Sequence, residues 1–411
     1  EGVTLDPSQR AAVSLGLQGG VVVVTGGPGT GKTTLLRVLL RALRERGVEV
    51  SLASPTGRAA RRLEEATGVS ACTLHRLLEY KPGEGGFQRT LTNPLDTDVV
   101  VIDEASMVDL RLMSALLEAC PIHRERFSLV LVGDADQLPS VGPGQVLRDI
   151  VESEAIGVAR LSIVHRQAKG SGILDAAEAI HAGRIPTSGE HSGVSDVFLI
   201  AREAPEAARR TLVRVVSERL PARGFDPMRD VQVLTPTRRG PLGTGELNRL
   251  LQGSLNPEGP ALQRGERTFR IGDRVLCTKN RYDLEVFNGD VGRIRDLAKG
   301  SLQIDFDGRI VDWDRDDLNM LDLAYAMTVH KSQGSEYPVV VLALHGSHGI
   351  MLRRNLFYTA VTRAKQFLCV VGSPKAWYRA VKTVGGDDRN TSLADRLRGH
   401  TSLSDAAGAR T

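Results

Sequence analysis

"VVVVTGGPGTGKTTLLRVLLRAL" runs from Val21 to Leu43 and decides how the rest of the chain is read. Four valines predict a buried strand, the leucines that follow recur at helical spacing, and a glycine-rich turn joins the two. Gly26–Thr33 satisfies G-x-x-x-x-G-K-T in the strand–loop–helix setting that gives the pattern its meaning. Glycine lets backbone N–H groups curl round a phosphate, and the following helix turns its positive N-terminal end toward the same anion. The residues that would wrap a nucleoside triphosphate are Gly27, Pro28, Gly29, Thr30, Gly31, Lys32, Thr33 and Thr34. Lys32 would reach the β- and γ-phosphates, and Thr33 would ligate Mg²⁺.

A nucleotide site of this kind needs acids nearby. "DVVVIDEASMVD" supplies a second apolar strand that ends in Asp103 and Glu104. Beside a phosphate loop, Asp103 would hold the metal through water and Glu104 would orient and deprotonate the attacking water. A third strand, in "FSLVLVGDADQLPSVGPG", carries Asp134 and Gln137 at the C-terminal edge, where ligands bind in a doubly wound sheet. Gln137 is the candidate γ-phosphate sensor. Strands expected at Val21–Thr25, Glu49–Ser54, Val99–Asp103 and Leu129–Gly133 alternate with helices, which predicts a parallel α/β layer.

Length and composition set the outer bounds. A chain of 411 residues suits two or three domains, and 41% hydrophobic with 25% charged residues is ordinary for a globular protein. The balance of 53 basic to 49 acidic residues excludes a polycation but allows a local basic groove. Cys72, Cys120, Cys277 and Cys369 are scattered without a CxxC pair, which argues against a disulfide framework or a zinc site and suits a reducing cytoplasm. No run is long enough for a membrane helix, and no signal peptide is expected. The opening "EGVTLDPSQ" reaches a strand within about twenty residues, and an excised piece of a longer protein is expected.

After "LSIVHRQ" the α/β pattern restarts, with strands in "DVQVLTPTRRG", "PVVVLALHG" and "QFLCVVG". Between them, Thr268 to Trp313 alternates with period two, and Asn288-Gly289 and Asp307-Gly308 are hairpin signals, so a small antiparallel barrel is expected. A triphosphate held in a cleft between two such domains gains from a cation on the opposite wall, and Arg166 in "VHRQ" and Arg363 in "YTAVTRAK" are candidates. His345 and His348 form an HxxH pair with no third ligand in sight, and read as loop residues.

Taken together and in this order, the motifs resemble those of RecD-like DNA helicases of superfamily 1. Leu5–Gln9 is similar to the Q motif, Gly26–Thr34 to motif I, Ser54–Ala60 to motif Ia and Ile102–Ser106 to motif II. Gly133–Pro139 is similar to motif III, Val164–Gln167 to motif IV, Ala326–Val341 to motif V and Phe357–Lys365 to motif VI. The resemblance implies two RecA-like P-loop NTPase domains. A β-hairpin inserts into the first, and a Src-homology-3-like barrel into the second. The expected boundaries are 1–155 (hairpin 82–95), 156–265 with 317–384 around a barrel at 266–316, and a polar tail, 385–411, without a role. It implies ATP and Mg²⁺ as cofactors, translocation 5′→3′ on single-stranded DNA, unwinding of forked duplex, and work in DNA repair or recombination. A monomer acting on the nucleoid is expected, with no membrane partner.

The resemblance also assigns residues. Gln9 contacts adenine, Arg166 and Arg363 are the arginine fingers, and Glu336 lies near the ribose or couples the sites. Thr328, His330, Lys331 and Ser332 donate to DNA phosphates from the second domain. Pro55, Thr56, Arg58, Thr73 and His75 form the matching track on the first, while Arg61 and Arg62 read as a solvated helix face. "EYKPGEGGFQRTLTNP" resembles the hairpin that such enzymes use as a pin to split duplex. Aromatic residues are only 4% of the chain, so the grip is expected on sugar and phosphate rather than stacked bases. An RNA helicase of the same superfamily and a nucleotide-switched binding module are the alternatives.

Overall fold

The computed structural model describes residues 4–124, 127–163, 171–191, 194–265, 267–298, 300–384, 389 and 391–399. The chain divides into two compact units, Glu1–Lys169 with Gly385–Thr411, and Gly170–Val384.

The first unit is built on six parallel strands: β1 (Gly20–Gly26), β2 (Val50–Ser54), β3 (Ala71–Thr73), β6 (Val99–Ile102), β7 (Ser128–Gly133) and β8 (Gly157–Leu161). Their order is β3-β2-β6-β7-β1-β8, so β1 lies between β7 and β8. The phosphate loop therefore leaves the sheet beside the ends of its partner strands. Helices α1 (Pro7–Gln18), α2 (Lys32–Glu45), α3 (Gly57–Thr67), α4 (Leu74–Leu77), α5 (Leu110–Ala119) and α6 (Val146–Ser153) cover it. α2 buries Leu35, Leu36, Leu39, Leu40 and Leu43, each stabilising the fold by roughly 1.5–3 kcal/mol. A two-stranded hairpin, β4 (Tyr80–Lys81) with β5 (Gly86–Phe87), stands after α4.

Two expected limits shift here. The first unit runs past residue 155 because β8 pairs with β1, Val22 opposite Gly157. As an edge strand β8 alternates buried and exposed residues and lacks the apolar run of its neighbours. The segment after residue 384, expected as a tail, belongs to the first unit.

In the second unit, β9 (Gly189–His191), β10 (Val194–Ala201), β11 (Val231–Thr235), β19 (Ala326–Thr328), β20 (Tyr337–Leu344) and β21 (Ala364–Gly372) form a sheet of order β19-β11-β20-β21-β10-β9. All its pairs are parallel except β9 with β10. Helices α7 (Gly172–His181), α8 (Pro205–Arg214), α9 (Thr244–Leu255), α10 (Arg354–Val361) and α11 (Pro374–Lys382) accompany it. A hairpin of β12 (Ala261–Arg264) and β13 (Arg267–Arg270) precedes the antiparallel barrel sheet. That sheet holds β14 (Arg274–Cys277), β15 (Val291–Ala298), β16 (Ser301–Phe306), β17 (Arg309–Trp313) and β18 (Leu321–Leu323), in the order β17-β16-β15-β14-β18. It extends past the expected limit of 316, since the three-residue β18 closes on β14.

The barrel is fixed to its own unit by a buried hub. Asp273, fully buried, accepts hydrogen bonds from Gln252 Nε2 (2.6 Å), Asn256 Nδ2 (2.7 Å), Tyr325 Oη (2.7 Å) and the Arg270 amide (2.7 Å). A buried carboxylate satisfied from four directions fixes the orientation of the elements that supply the donors.

Candidate nucleotide site and nucleic-acid track

The phosphate loop is shaped as a cradle before anything enters it. Gly29 and Gly31 sit at φ +72° and +78°, where side chains are disfavoured. A Cβ on Gly26 would lie 2.8 Å from Thr30 Oγ1 and 2.9 Å from Leu161. Thr30 Oγ1 donates to the Gly27 carbonyl (2.8 Å), and Lys32 Nζ folds back onto the carbonyls of Gly26 (2.6 Å) and Gly27 (2.9 Å). The N-terminus of α2 has no side-chain cap, which leaves its first amides for an anion. Gln9 is buried, closes a capping box with Asp6 at the start of α1, and donates from Nε2 to the Thr30 carbonyl at 3.2 Å. The expected adenine contact thus starts from an amide already tied to the loop.

Asp103 and Glu104 leave the end of β6, where the Asp103 amide donates to the Ala53 carbonyl at 3.0 Å. Glu104 is left-handed at φ +55°, a conformation costing on the order of 1–3 kcal/mol that concentrates at functional sites. Burial, and then the charge of Glu104, push the Asp103 carboxyl up, against the pull of Lys32 and Arg62. Arg62 therefore does not only face solvent, as its helix pattern suggested. Gln137 Nε2 donates to Asp134 Oδ2 at 3.1 Å, with Asp134 almost wholly buried. The chemistry fits a hard divalent cation bound with phosphate: the Thr33 hydroxyl and the Asp103 carboxylate are oxygen donors. Two hydroxyls of this region, Ser54 and Ser106, are buried without a hydrogen-bond partner among the described residues.

In the second unit the motif between β19 and β20 has two sides. Thr328 and Lys331 line a groove of about 310 Å³ with Arg238, Thr244, Asn248, Arg267 and Asp322. Lys331 Nζ donates to Asn288 Oδ1 of the barrel, and Asp322 holds Arg267 at 2.9 Å with Arg238 at 3.7 Å. Burial, and then Arg238, lower the Lys331 ammonium pKa. His330 is half-buried. Ser332 departs from expectation. Its side chain is fully buried and its hydroxyl donates to the Val329 carbonyl at 2.8 Å, so it closes its own turn rather than lining the groove. On the other side of the motif, buried Arg363 donates to the Ser335 carbonyl (3.3 Å) and the Thr359 carbonyl (3.1 Å), and Glu336 pairs with Lys365 at 3.1 Å. Arg166, with the whole of Val164–Gln167, lies outside the described residues. The arginines and Asn248 of the groove escaped sequence reading.

On the first unit, Thr56 caps α3 (Ala59 amide to Oγ1, 3.3 Å) beside half-buried Pro55 and Arg58, and Thr73 caps α4 (Arg76 amide to Oγ1, 3.2 Å). His75, expected as a phosphate donor, is half-buried. Its ring packs 5.5 Å from Tyr80 and 5.8 Å from Phe87, so it anchors the hairpin base. His345 and His348 cap their own loop: the His345 amide donates to His348 Nδ1 (3.1 Å), and His345 Nε2 donates to the Glu203 carbonyl (2.8 Å). No group of three metal-ligating side chains, and no helix long and apolar enough to span a membrane, occurs among the described residues.

Two RecA-type sheets, one carrying a complete phosphate loop and acid pair and the other an antiparallel barrel, define a P-loop NTPase of the helicase architecture. Residues 4–195 match an AAA domain, 247–306 the SH3 domain of ATP-dependent RecD-like DNA helicases, and 323–371 the UvrD-like helicase C-terminal domain. The chain is 40% identical over 380 residues to the ATP-dependent RecD2 DNA helicase of Deinococcus radiodurans, covering 92% of this chain and 50% of that one. It is 37% identical over 432 residues to the RecBCD enzyme subunit RecD of Mycolicibacterium smegmatis, covering 95% and 74%. The crystal structure of Bacteroides Pif1 bound to ssDNA has the same fold, with a TM-score of 0.56 at 17% identity and 98% of each chain covered. The chain belongs to the RecD family of helicases. It spans half the length of the RecD2 relative.

Proposed function

We propose that the chain is the ATP-driven core of a DNA helicase that moves 5′→3′ along single-stranded DNA and splits duplex ahead of it, in DNA repair or recombination. The observation that carries this is the stretch Thr328–Glu336. Its first residues line a basic groove, and its last are held by Arg363 and Lys365. One short segment thus has one side for a polyanionic strand and one for a nucleotide, which is what coupling of hydrolysis to movement requires.

ATP sits on the phosphate loop, with Lys32 on the β- and γ-phosphates and Gln9 at the adenine. Thr33 and Asp103 would hold Mg²⁺, which would neutralise charge on the phosphates. Glu104 takes the proton of the attacking water, Gln137 reads the γ-phosphate, and Arg166 and Arg363 stabilise charge on the transferring group. Closure of the domains on ATP advances one grip along the strand, and hydrolysis releases it. Thr328, His330, Lys331 and Arg238 grip on one domain, Thr56, Arg58 and Thr73 on the other. A few cations interspersed with neutral donors suit a hold that must be broken each cycle, since every neutralised phosphate adds salt-sensitive affinity. The protein acts as a monomer on DNA of the cytoplasmic nucleoid.

ATP hydrolysis stimulated by matched DNA and RNA strands tests the substrate. Stimulation by DNA alone is expected, and equal stimulation by RNA would favour an RNA helicase, since the 2′-hydroxyl is the group by which a protein tells RNA from DNA.

A further inference from the structure

The last described stretch of the chain lies along α6 from end to end. Arg389 meets the loop before the helix: Nη2 donates to the Ser140 carbonyl at 2.5 Å, and Nη1 to the carbonyls of Gly144 (2.7 Å) and Gly142. Thr391 Oγ1 donates to Asp149 Oδ2 at 2.8 Å in the first turns of α6. Leu393 and Leu397, from a helical stretch over 393–399, pack on the core cluster that holds Leu147, Ile150 and Val151. Arg398 Nη2 then donates to the Glu152 carbonyl at 2.9 Å, in the last turn. The segment follows α11 of the second unit by a few residues, yet it completes the first.

The loop that Arg389 holds joins β7 to α6 and carries Gln137 three residues before Ser140. Its far side is already fixed. The Leu110 amide donates to the Pro143 carbonyl at 2.9 Å, and a Cβ on Gly142 would overlap Asp109 while one on Gly144 would overlap Leu110. Three carbonyls are left converging on one point. Ser140 Oγ reaches those of Gly142 (3.2 Å) and Gly144 (3.4 Å), but with a single proton it serves one at a time. A planar guanidinium with five donors can satisfy all three together, and an ammonium meets the same charge without the fork.

We propose that this segment is a strap, and that Arg389 is a positioning residue for ATP hydrolysis, holding the loop that presents Gln137 to the γ-phosphate. It rests on the reading of Gln137 given above. In this reading Arg389 acts through the loop and not on nucleotide or DNA. Its effect falls on kcat, because a displaced sensor loses contacts made in the transition state while the phosphate loop still binds ATP.

The test is steady-state, DNA-stimulated ATP hydrolysis by full-length R389A, R389K and Q137A, with hydrogen exchange of the 137–145 amides. R389A is expected to lose about tenfold in kcat at unchanged KM for ATP, as a misplaced group does. R389K should recover part of the loss, methylguanidinium should restore R389A, and exchange in the loop should rise. R389A/Q137A should be no slower than Q137A. Wild-type kcat in R389A beside an impaired Q137A would overturn the strap alone, as would a loss confined to KM or a loss that methylguanidinium leaves untouched. Wild-type kcat in Q137A would overturn the sensor reading and the strap proposal with it.

Discussion

Glu104 carries two marks of function, a strained backbone and a carboxylate placed one residue after Asp103 at the end of β6. If it is the general base, Glu104→Gln should lower kcat for ATP hydrolysis by about a thousandfold while a fluorescent ATP analogue binds as before. Equal loss of binding would make the residue structural. His348 allows a pH prediction. Burial, and then neighbouring His345, depress its pKa to about 4 from an ordinary 6.5. The unfolded chain therefore binds the extra proton first, and stability falls as pH drops from 6.5 toward 4, by roughly 3 kcal/mol in all. His348→Gln should flatten that part of the profile in thermal unfolding, and an unchanged slope would refute the assignment. The phosphate loop and acid pair were legible because backbone chemistry imposes their spacing. The inward turn of Ser332 and the packing of His75 were not, because only the folded neighbours decide whether a hydroxyl turns inward or a ring joins Tyr80 and Phe87.

Elements were legible where their pattern was long. β1, β6 and β7 are continuous apolar runs, and β16 of the barrel alternates cleanly, Leu302, Ile304 and Phe306 pointing inward. β8 and β18 escaped because a short edge or closing strand is specified by its partner, and the segment over 391–399 because a polar sequence with two leucines gains its place only by docking. The groove beside β19 is the element that grips in this account. Arg238→Ala should weaken single-strand affinity evenly across sequences and reduce the salt slope by about one; a change confined to one base composition would point to base reading instead. The hairpin β4–β5 makes a separate prediction. Deleting 83–93 should abolish unwinding and leave DNA-stimulated ATP hydrolysis intact, and loss of both together would remove its role as a pin.

At the scale of the whole molecule, each unit is internally complete in a different respect. The first holds the phosphate loop, the acids and Gln137. The second holds the basic groove, Arg363 and a barrel tied to the same body through Asp273. The overall division was readable from the restart of the α/β pattern, whereas the return of the chain to its first unit was not, since nothing local marks it. A motor built this way should convert hydrolysis into directed movement, and directionality is the property no single residue supplies. The most direct measurement is ATP-dependent unwinding of two forked substrates, one with only a 5′ single-stranded tail and one with only a 3′ tail. The account predicts unwinding of the 5′-tailed substrate alone. Unwinding of the 3′-tailed substrate, or of neither while single strands still stimulate hydrolysis, would contradict it.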